Sequence, residues 1–535
     1  MKKQMLKSMM IIGVAGFFAG TLNAEETIKL KTSKEIPASI FGTQTHFGQW
    51  WNYKKVLPLV EKAGIKWIRD DFGWQNIEME KGVLSLDDPE AAKKLLKTNA
   101  YFKKADNYVN DANVRGIDVI MVLVYGNKHY PYENFEEFKK GYANYCAFAA
   151  KHFKGKVKVW EIWNEPTNFA IRGAYGGSWN AIEETQGKKC LWLRRYTDLV
   201  IAAAKAIRKV DPDATIIAGS CVFPINYHFM DLLKAKGEAK ILDGMVIHPY
   251  TYKLPPEVSP YGGDVIAKRD GMSVCDDSDE NIYTYSSIIK NTKAKMKAVG
   301  MKNTDIYATE FGFSTYHRTL GSVAADLGDH IFEGFSEAAQ AKYLARFFIL
   351  HLVNGIKVAI QYDFQDDGNS PKHMEHNFGM VKLPSSNYEP KPSYYAVQRI
   401  CSLLSDPVKQ LKPDWQIAVR PDRYLTSKNW KYVEPHMVWD GQTIQSLNRV
   451  EKYLFKNSKT GEVMLVLWNA VRSSDRQDLL SDVTLNTADY TGFSGVDIMT
   501  GKSFNVNAST EAGKTVFKNV KIPDYPIVIK MFGKK

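Results

Sequence analysis

Between Ser39 and about Asp406, short runs rich in β-branched and aromatic residues alternate eight times with longer stretches of helical spacing, and this regularity restricts the chain to few architectures. The runs are 39–48, 65–74, 117–127 and 157–166, then 214–222, 241–252, 305–315 and 356–367. Strands joined by helical crossovers run parallel. Gly64, Gly116 and Gly355 each stand just before the next strand, where a left-handed residue closes a helix. Eight units in about 370 residues predict an α/β chain folded as a (β/α)8 TIM barrel with long loops, whose chemistry belongs at the carboxyl ends of the strands.

After Asp406 the period changes. The short alternating runs TIQSLNRV, EVMLVLWNA, GVDIMT and YPIVIKMF are separated by turns such as NSKTGE and MTGKS, the pattern of a C-terminal all-β sandwich. The expected division is therefore a catalytic barrel over 25–406 and a sandwich over 407–535, with 25–38 a candidate extra strand on the sandwich. Residues 1–24 have a basic start, an apolar run from Met9 to Gly20 and a small residue, Ala24, before Glu25. They read as a signal peptide, which places the mature protein in the periplasm or outside the cell and off the membrane. Removing Lys2, Lys3 and Lys7 with it takes the formal charge from +12 to +9. Lys and Arg are scattered among Asp and Glu with no run of five, so a solvated surface is expected and no nucleic-acid partner. Five cysteines, Cys146, Cys190, Cys221, Cys275 and Cys401, have no CxxC or zinc spacing, which leaves one disulfide or buried free thiols open. The sequence carries no signal for an oligomeric state.

Two strands end in a glutamate. Glu165 precedes Pro166 on the fourth, and Glu310 precedes Phe311 and Gly312 on the seventh. In a closed barrel of eight these strands face one another across the mouth, so the two carboxyls converge. Paired carboxyls over a cavity are what cleavage of a glycosidic bond requires: one donates a proton to the leaving oxygen while the other, ionised, attacks the anomeric carbon. A separation of about 5–5.5 Å retains the anomeric configuration, whereas about 6.5–9.5 Å admits a water and inverts it. Burial against Trp160 or Trp163, with the neighbouring anion, should raise the Glu165 pKa, while Arg69 and Tyr250 should hold Glu310 ionised. Two carboxylates suffice for this chemistry, so no cofactor and no metal are expected.

WNEP (163–166) closing the fourth strand, together with TEFGFST (309–315) closing the seventh, resembles the glycoside hydrolases of clan A, particularly families 39 and 5. The resemblance spans 39–406, and a trailing β-sandwich also fits family 39-like members. It implies a retaining double displacement with Glu165 as acid/base and Glu310 as nucleophile. It further implies that Asn164 bonds the sugar 2-hydroxyl, that Arg69 lies beneath the nucleophile, and that His248 and Tyr250 in VIHPY stand near it. At the eighth strand the chain departs from the pattern. Many members carry a tryptophan there as the floor of the sugar site, whereas this chain has Gln361, Tyr362, Asp363 and Phe364, with Tyr362 or Phe364 the expected substitute.

His46 on the first strand and His129 after the third are candidates for binding sugar hydroxyls, with a structural role the alternative for each. Glu161, four residues before Glu165, reads as a structural partner for an arginine. KHMEH (372–376) lacks the i, i+4 spacing of a helical zinc site and reads as a loop. Trp50, Trp51, Trp74, Tyr125, Tyr175, Trp179 and Tyr252 fall at strand ends or in the loops beyond, where aromatic faces stack on sugars, and Trp179 is the one assigned to substrate. The expected activity is that of a secreted retaining glycoside hydrolase acting on β-linked oligo- or polysaccharides. A non-catalytic carbohydrate-binding barrel and a transglycosylase using the same two glutamates are the alternatives.

Overall fold

The eight strands close into a parallel barrel in chain order: β1 (Phe41–Gln44), β2 (Trp67–Gly73), β3 (Asp118–Val124), β4 (Val159–Ile162), β5 (Thr215–Cys221), β6 (Gly244–Ile247), β7 (Ile306–Phe311) and β8 (Val358–Gln361). The structure, a computed structural model, describes residues 28–184, 186–221, 223–251, 254–258, 284–316, 334–420, 450–473 and 479–533. The leader at 1–24, Tyr252 and Cys275 lie outside them. The barrel shuts by pairing β1 with β8, Thr43 opposite Gln361.

Alternation along each strand sorts the barrel interior into layers. Trp67, Ile120, Val159, Ile217, Val246, Tyr307, Val358 and Ile360 pack together as an apolar plug. Gly42 joins them without a side chain, because a Cβ there would lie 2.4 Å from Ile360 Cδ1. Two residues beyond Trp67, Val159, Val246 and Tyr307, on the same face of their strands, come Arg69, Glu161, His248 and Thr309. The apolar layer is thus roofed by a polar one.

The helices that space these strands start and stop on local chemistry. Asn134 caps the helix Phe135–His152 by accepting from the Glu137 amide, and Thr284 caps Tyr285–Val299 by accepting from Ser287. Gly64, Gly116 and Gly355 adopt φ of 71°, 66° and 63°, as closing a helix requires.

The segment 28–38 departs from expectation: it forms no strand and packs on the barrel instead. Ser33 bonds Glu61 and Arg115 backbone oxygens, the Lys31 amide donates to Ser402 Oγ, and Ile28 and Ile36 join the main core.

The last barrel helix ends at Leu404, and the carboxyl-terminal strands follow: β9 (Val408–Leu411), β10 (Ile417–Arg420), β11 (Val450–Asn457), β12 (Val463–Asn469), β13 (Leu479–Leu485), β14 (Gly492–Asp497), β15 (Ser503–Phe504), β16 (Ala508–Glu511), β17 (Lys514–Ile522) and β18 (Ile527–Phe532). They form two antiparallel sheets, ordered β15-β14-β18-β12-β11-β9 and β10-β13-β17-β16. β12 is apolar from Val463 to Trp468 because both its faces are buried. Leu465 and Leu467 face the core between the sheets, whereas Val466 and Trp468 belong to a core continuous with the barrel. That junction contains a buried ion pair in which Arg346 Nε donates to Glu257 Oε1 at 2.8 Å, Trp468 Nε1 donates to the same oxygen at 2.7 Å, and Arg346 Nη1 reaches the Val471 carbonyl.

Candidate active site

Arg69 organises the polar layer. Its side chain is 1% exposed and makes five hydrogen bonds. Nε and Nη2 form a fork on Glu161 at 2.8 and 2.9 Å, Nη1 donates to Gln44 Oε1 and to Glu310 Oε1, both at 2.8 Å, and Nη2 donates to Asn164 Oδ1 at 2.9 Å. A guanidinium has five N–H groups, so this one can be satisfied without water. Glu161 is the arginine partner the sequence suggested. The same contacts fix Asn164, whose Nδ2 donates to the Tyr125 hydroxyl at 3.0 Å.

Glu165 is presented by strain. Trp163 and Glu165 have φ of 66° and 39°, left-handed values that cost on the order of 1–3 kcal/mol each for such side chains. Trp163 is held in place by its ring, buried against Tyr125, Phe138 and Tyr142. The turn aims the Glu165 carboxyl across the mouth: Oε1 lies 2.7 Å from His248 Nδ1, and Oε2 accepts from Asn168 Nδ2 at 2.7 Å. From the opposite side, Glu310 Oε2 accepts from the Tyr250 hydroxyl at 3.1 Å and lies 3.5 Å from the same His248 nitrogen. One oxygen of each glutamate and a ring nitrogen of His248 lie within 4.8 Å of one another.

The histidine is oriented from below. Thr309 Oγ1 donates to Glu161 Oε1 at 3.1 Å, so its oxygen accepts from His248 Nε2 at 3.0 Å. With the Nε2 proton so placed, the contact between Nδ1 and Glu165 Oε1 contains one further proton shared by the pair.

This arrangement reverses the expected order of acidity. Burial pushes the Glu165 carboxyl up, but the hydrogen bond and charge of His248, with Asn168 and Arg69, outweigh it and hold Glu165 below the usual value. Burial raises Glu310 above its usual value, with Glu165 and Glu161 adding to the rise against His248 and Arg69. The sequence argument assigned desolvation of Glu165 to Trp160 or Trp163. Trp160 instead joins the core with the helices, since its neighbour Glu161 points inward, and no sequence signal put His248 on Glu165.

The other candidates divide. Tyr362 lies at the mouth, its hydroxyl 3.4 Å from Glu375 Oε2 and its ring beside His46 and Phe378. Phe364 does not substitute for a floor tryptophan: it lies beyond the end of β8, is fully buried and packs on Tyr394. His46 is buried between Trp51 and Tyr362 beside Asp367. His129 bonds the Met79 carbonyl at 2.9 Å, and among the described residues no hydrogen bond or ion pair ties it to the two glutamates. Trp179, Trp50 and Phe169 are exposed, whereas Trp51 and Trp74 are core. Gln44 and Thr309 were not singled out from the sequence, and Glu375 was considered there only as a metal ligand and set aside. Gln44 could have been found from register, since it pairs with Arg69. Glu375 comes from KHMEH and is pushed up to about 7, first by burial and then by the charges of Glu310 and Glu165.

A parallel barrel of eight with two carboxyls converging at its mouth defines a glycosidase framework. Residues 31–326 match the family Cellulase (glycosyl hydrolase family 5), and the chain belongs to that family of glycoside hydrolases. Among solved structures it is similar to a family 39 glycoside hydrolase from the gut symbiont Bacteroides cellulosilyticus WH2, at 21% identity over 94% of this chain and 83% of that one, with a TM-score of 0.62. It is also similar to a glucosidase from Croceicoccus marinus, at 11% identity over 95% and 97% of the two chains, TM-score 0.52. These likenesses show the shared fold. Comparison with curated protein sequences found no match.

Proposed function

We propose that this glycosidase is exported and cleaves β-linked oligo- or polysaccharides with retention, Glu310 acting as nucleophile and Glu165 as acid/base. The observation that carries the reading is the approach of one oxygen from each glutamate to within 4.8 Å around a common imidazole, a spacing that suits direct attack and leaves little room for an inverting water. Glu310 attacks the anomeric carbon from the face that Arg69 and Tyr250 support, their hydrogen bonds positioning the carboxylate. The leaving oxygen takes the proton shared by Glu165 and His248. As that proton departs, His248 is left neutral, with Nε2–H still held by Thr309, and Glu165 becomes the base that activates water for the second step. Asn164, oriented by Arg69 and Tyr125, faces the sugar beside the nucleophile. The β-linkage is supported by the cellulase description of the matching family.

The test is covalent trapping. A 2-deoxy-2-fluoro glycoside should add one sugar to Glu310, seen by mass spectrometry of the peptide containing TEFGFST, and proton NMR of early product should show the starting anomer. Inverted product, or a label on another residue, refutes the assignment. Products extended by added acceptor sugars would instead mark a transglycosylase.

A further inference from the structure

A second group of titratable side chains lies beside the sugar pocket, where the loop after β1 meets the loop after β8. We propose that His46, Asp363 and Asp367 form a binding site for one divalent transition-metal cation, with Zn2+ the best match to one imidazole and two carboxylates.

Three observations converge on it. One donor atom from each residue lies within 4.8 Å of the other two. Ligands around a single ion at about 2.0–2.2 Å stand about 3.3–4.4 Å apart, so an ion entering this group separates His46 Nδ1 from Asp367 Oδ2, now 2.8 Å apart, and draws Asp363 to a common centre. Asp363 is fully buried with the carboxyl of Asp367 against it, and among the described residues no N–H or hydroxyl group donates to its carboxylate oxygens. Buried carboxylates are ordinarily paired or bound to metal. Lys391, whose charge acts on Asp363, is bound elsewhere: its Nζ donates to Asp366 Oδ1 at 2.7 Å. His46 Nδ1 is buried 2.8 Å from Asp367 Oδ2, so an ion bound there takes the place of the proton between them.

The surroundings complete the site as outer partners of a metal do. Trp51 Nε1 donates to Asp367 Oδ1 at 2.8 Å and leaves Oδ2 toward His46. The His46 ring is fixed between Trp51 and Tyr362, with centroids at 4.9 and 5.7 Å. An ion here ties the β1 loop to the β8 loop and stiffens Tyr362, which forms a wall of the pocket. The residues come from opposite ends of the barrel sequence, so spacing rules for metal motifs do not detect them.

The untagged full chain, stripped with a chelator and re-equilibrated with Zn2+, should carry about one equivalent by inductively coupled plasma mass spectrometry. Asp363→Asn and Asp367→Asn should weaken Zn2+ binding by about 100-fold or more. Should either variant fail to fold, Cu2+ on the wild-type chain gives an independent readout: electron spin-echo spectra should show coupling to a single imidazole nitrogen set. Absence of bound zinc and of that coupling overturns the proposal and leaves Asp363 and Asp367 as a pair sharing a proton. Zinc kept by Asp363→Asn but lost in Glu310→Gln places the ion on the catalytic carboxyls and overturns it as well.

Discussion

Arg69→Lys keeps the charge and removes the fork. Five hydrogen bonds to Gln44, Glu161, Asn164 and Glu310 depend on the guanidinium. A lysine ammonium has three donors on a shorter reach, so at least two of these bonds are lost in a place where the acceptors are buried. Hydrogen bonds to charged groups contribute about 1.5–3 kcal/mol each, and breaking a buried pair costs about 3–5 kcal/mol, so the variant should lose about 3–5 kcal/mol of stability. Catalysis should fall too, since Glu310 and Asn164 both lose their orientation. If about 3 kcal/mol of that loss reaches the transition state, kcat/KM drops about 100-fold. Chemical denaturation followed by tryptophan fluorescence gives the first quantity, and steady-state kinetics on an aryl glycoside the second. Arg69→Met combined with Glu161→Leu should be more stable than Arg69→Met alone, because the double change leaves no unpaired carboxylate at 161. Lysine tolerated within about 0.5 kcal/mol, the range of an ordinary surface substitution, would show that the five contacts do not carry the polar layer.

Glu165→Ala should lose activity far more on substrates with poor leaving groups than on activated aryl glycosides, because only the former need the proton; equal losses, measured as kcat/KM, contradict the acid role. Glu375 has a pKa of about 7 in the folded chain, raised above 4.5, so its contribution to stability is present below about pH 4.5 and is lost as pH rises through 7. Glu375→Gln should therefore gain on wild type by about 2 kcal/mol between pH 5 and pH 8.5, after allowance for its partial exposure, and denaturation midpoints that move in parallel at the two pH values refute this. Arg346→Leu should uncouple the barrel from the sandwich, costing about 3–5 kcal/mol by leaving Glu257 buried without its partner. Scanning calorimetry should then resolve two transitions at lower temperature, and an unchanged single transition speaks against the junction as the link.

The barrel was legible because its signals are local. Eight apolar runs, glycine-terminated helices and polar strand ends survive in any single sequence, and Gly64, Gly116 and Gly355 do close helices in left-handed conformation. The two glutamates were legible for the same reason, each at the end of a strand whose place in the barrel follows from counting. What surrounds them was less so. Trp160 and Phe364 looked like pocket residues by proximity in sequence, yet Trp160 is one step out of phase with the inward Glu161, so a period of two sends it to the core, and Phe364 lies past the end of β8, where the loop folds it into the core.

The sequence by itself determined the order of elements, the number of strands and the presence of carboxyls at the mouth, since these depend on residue type and period along the chain. Tertiary structure alone decided which groups share a proton or a charge: His248 with Glu165, Arg69 with Glu161 and Glu310, Glu257 with Arg346, and His46 with Asp367. Each pair joins residues from different strands, helices or loops, and acidity in a buried site is set by distances of a few ångströms that no spacing along the chain encodes.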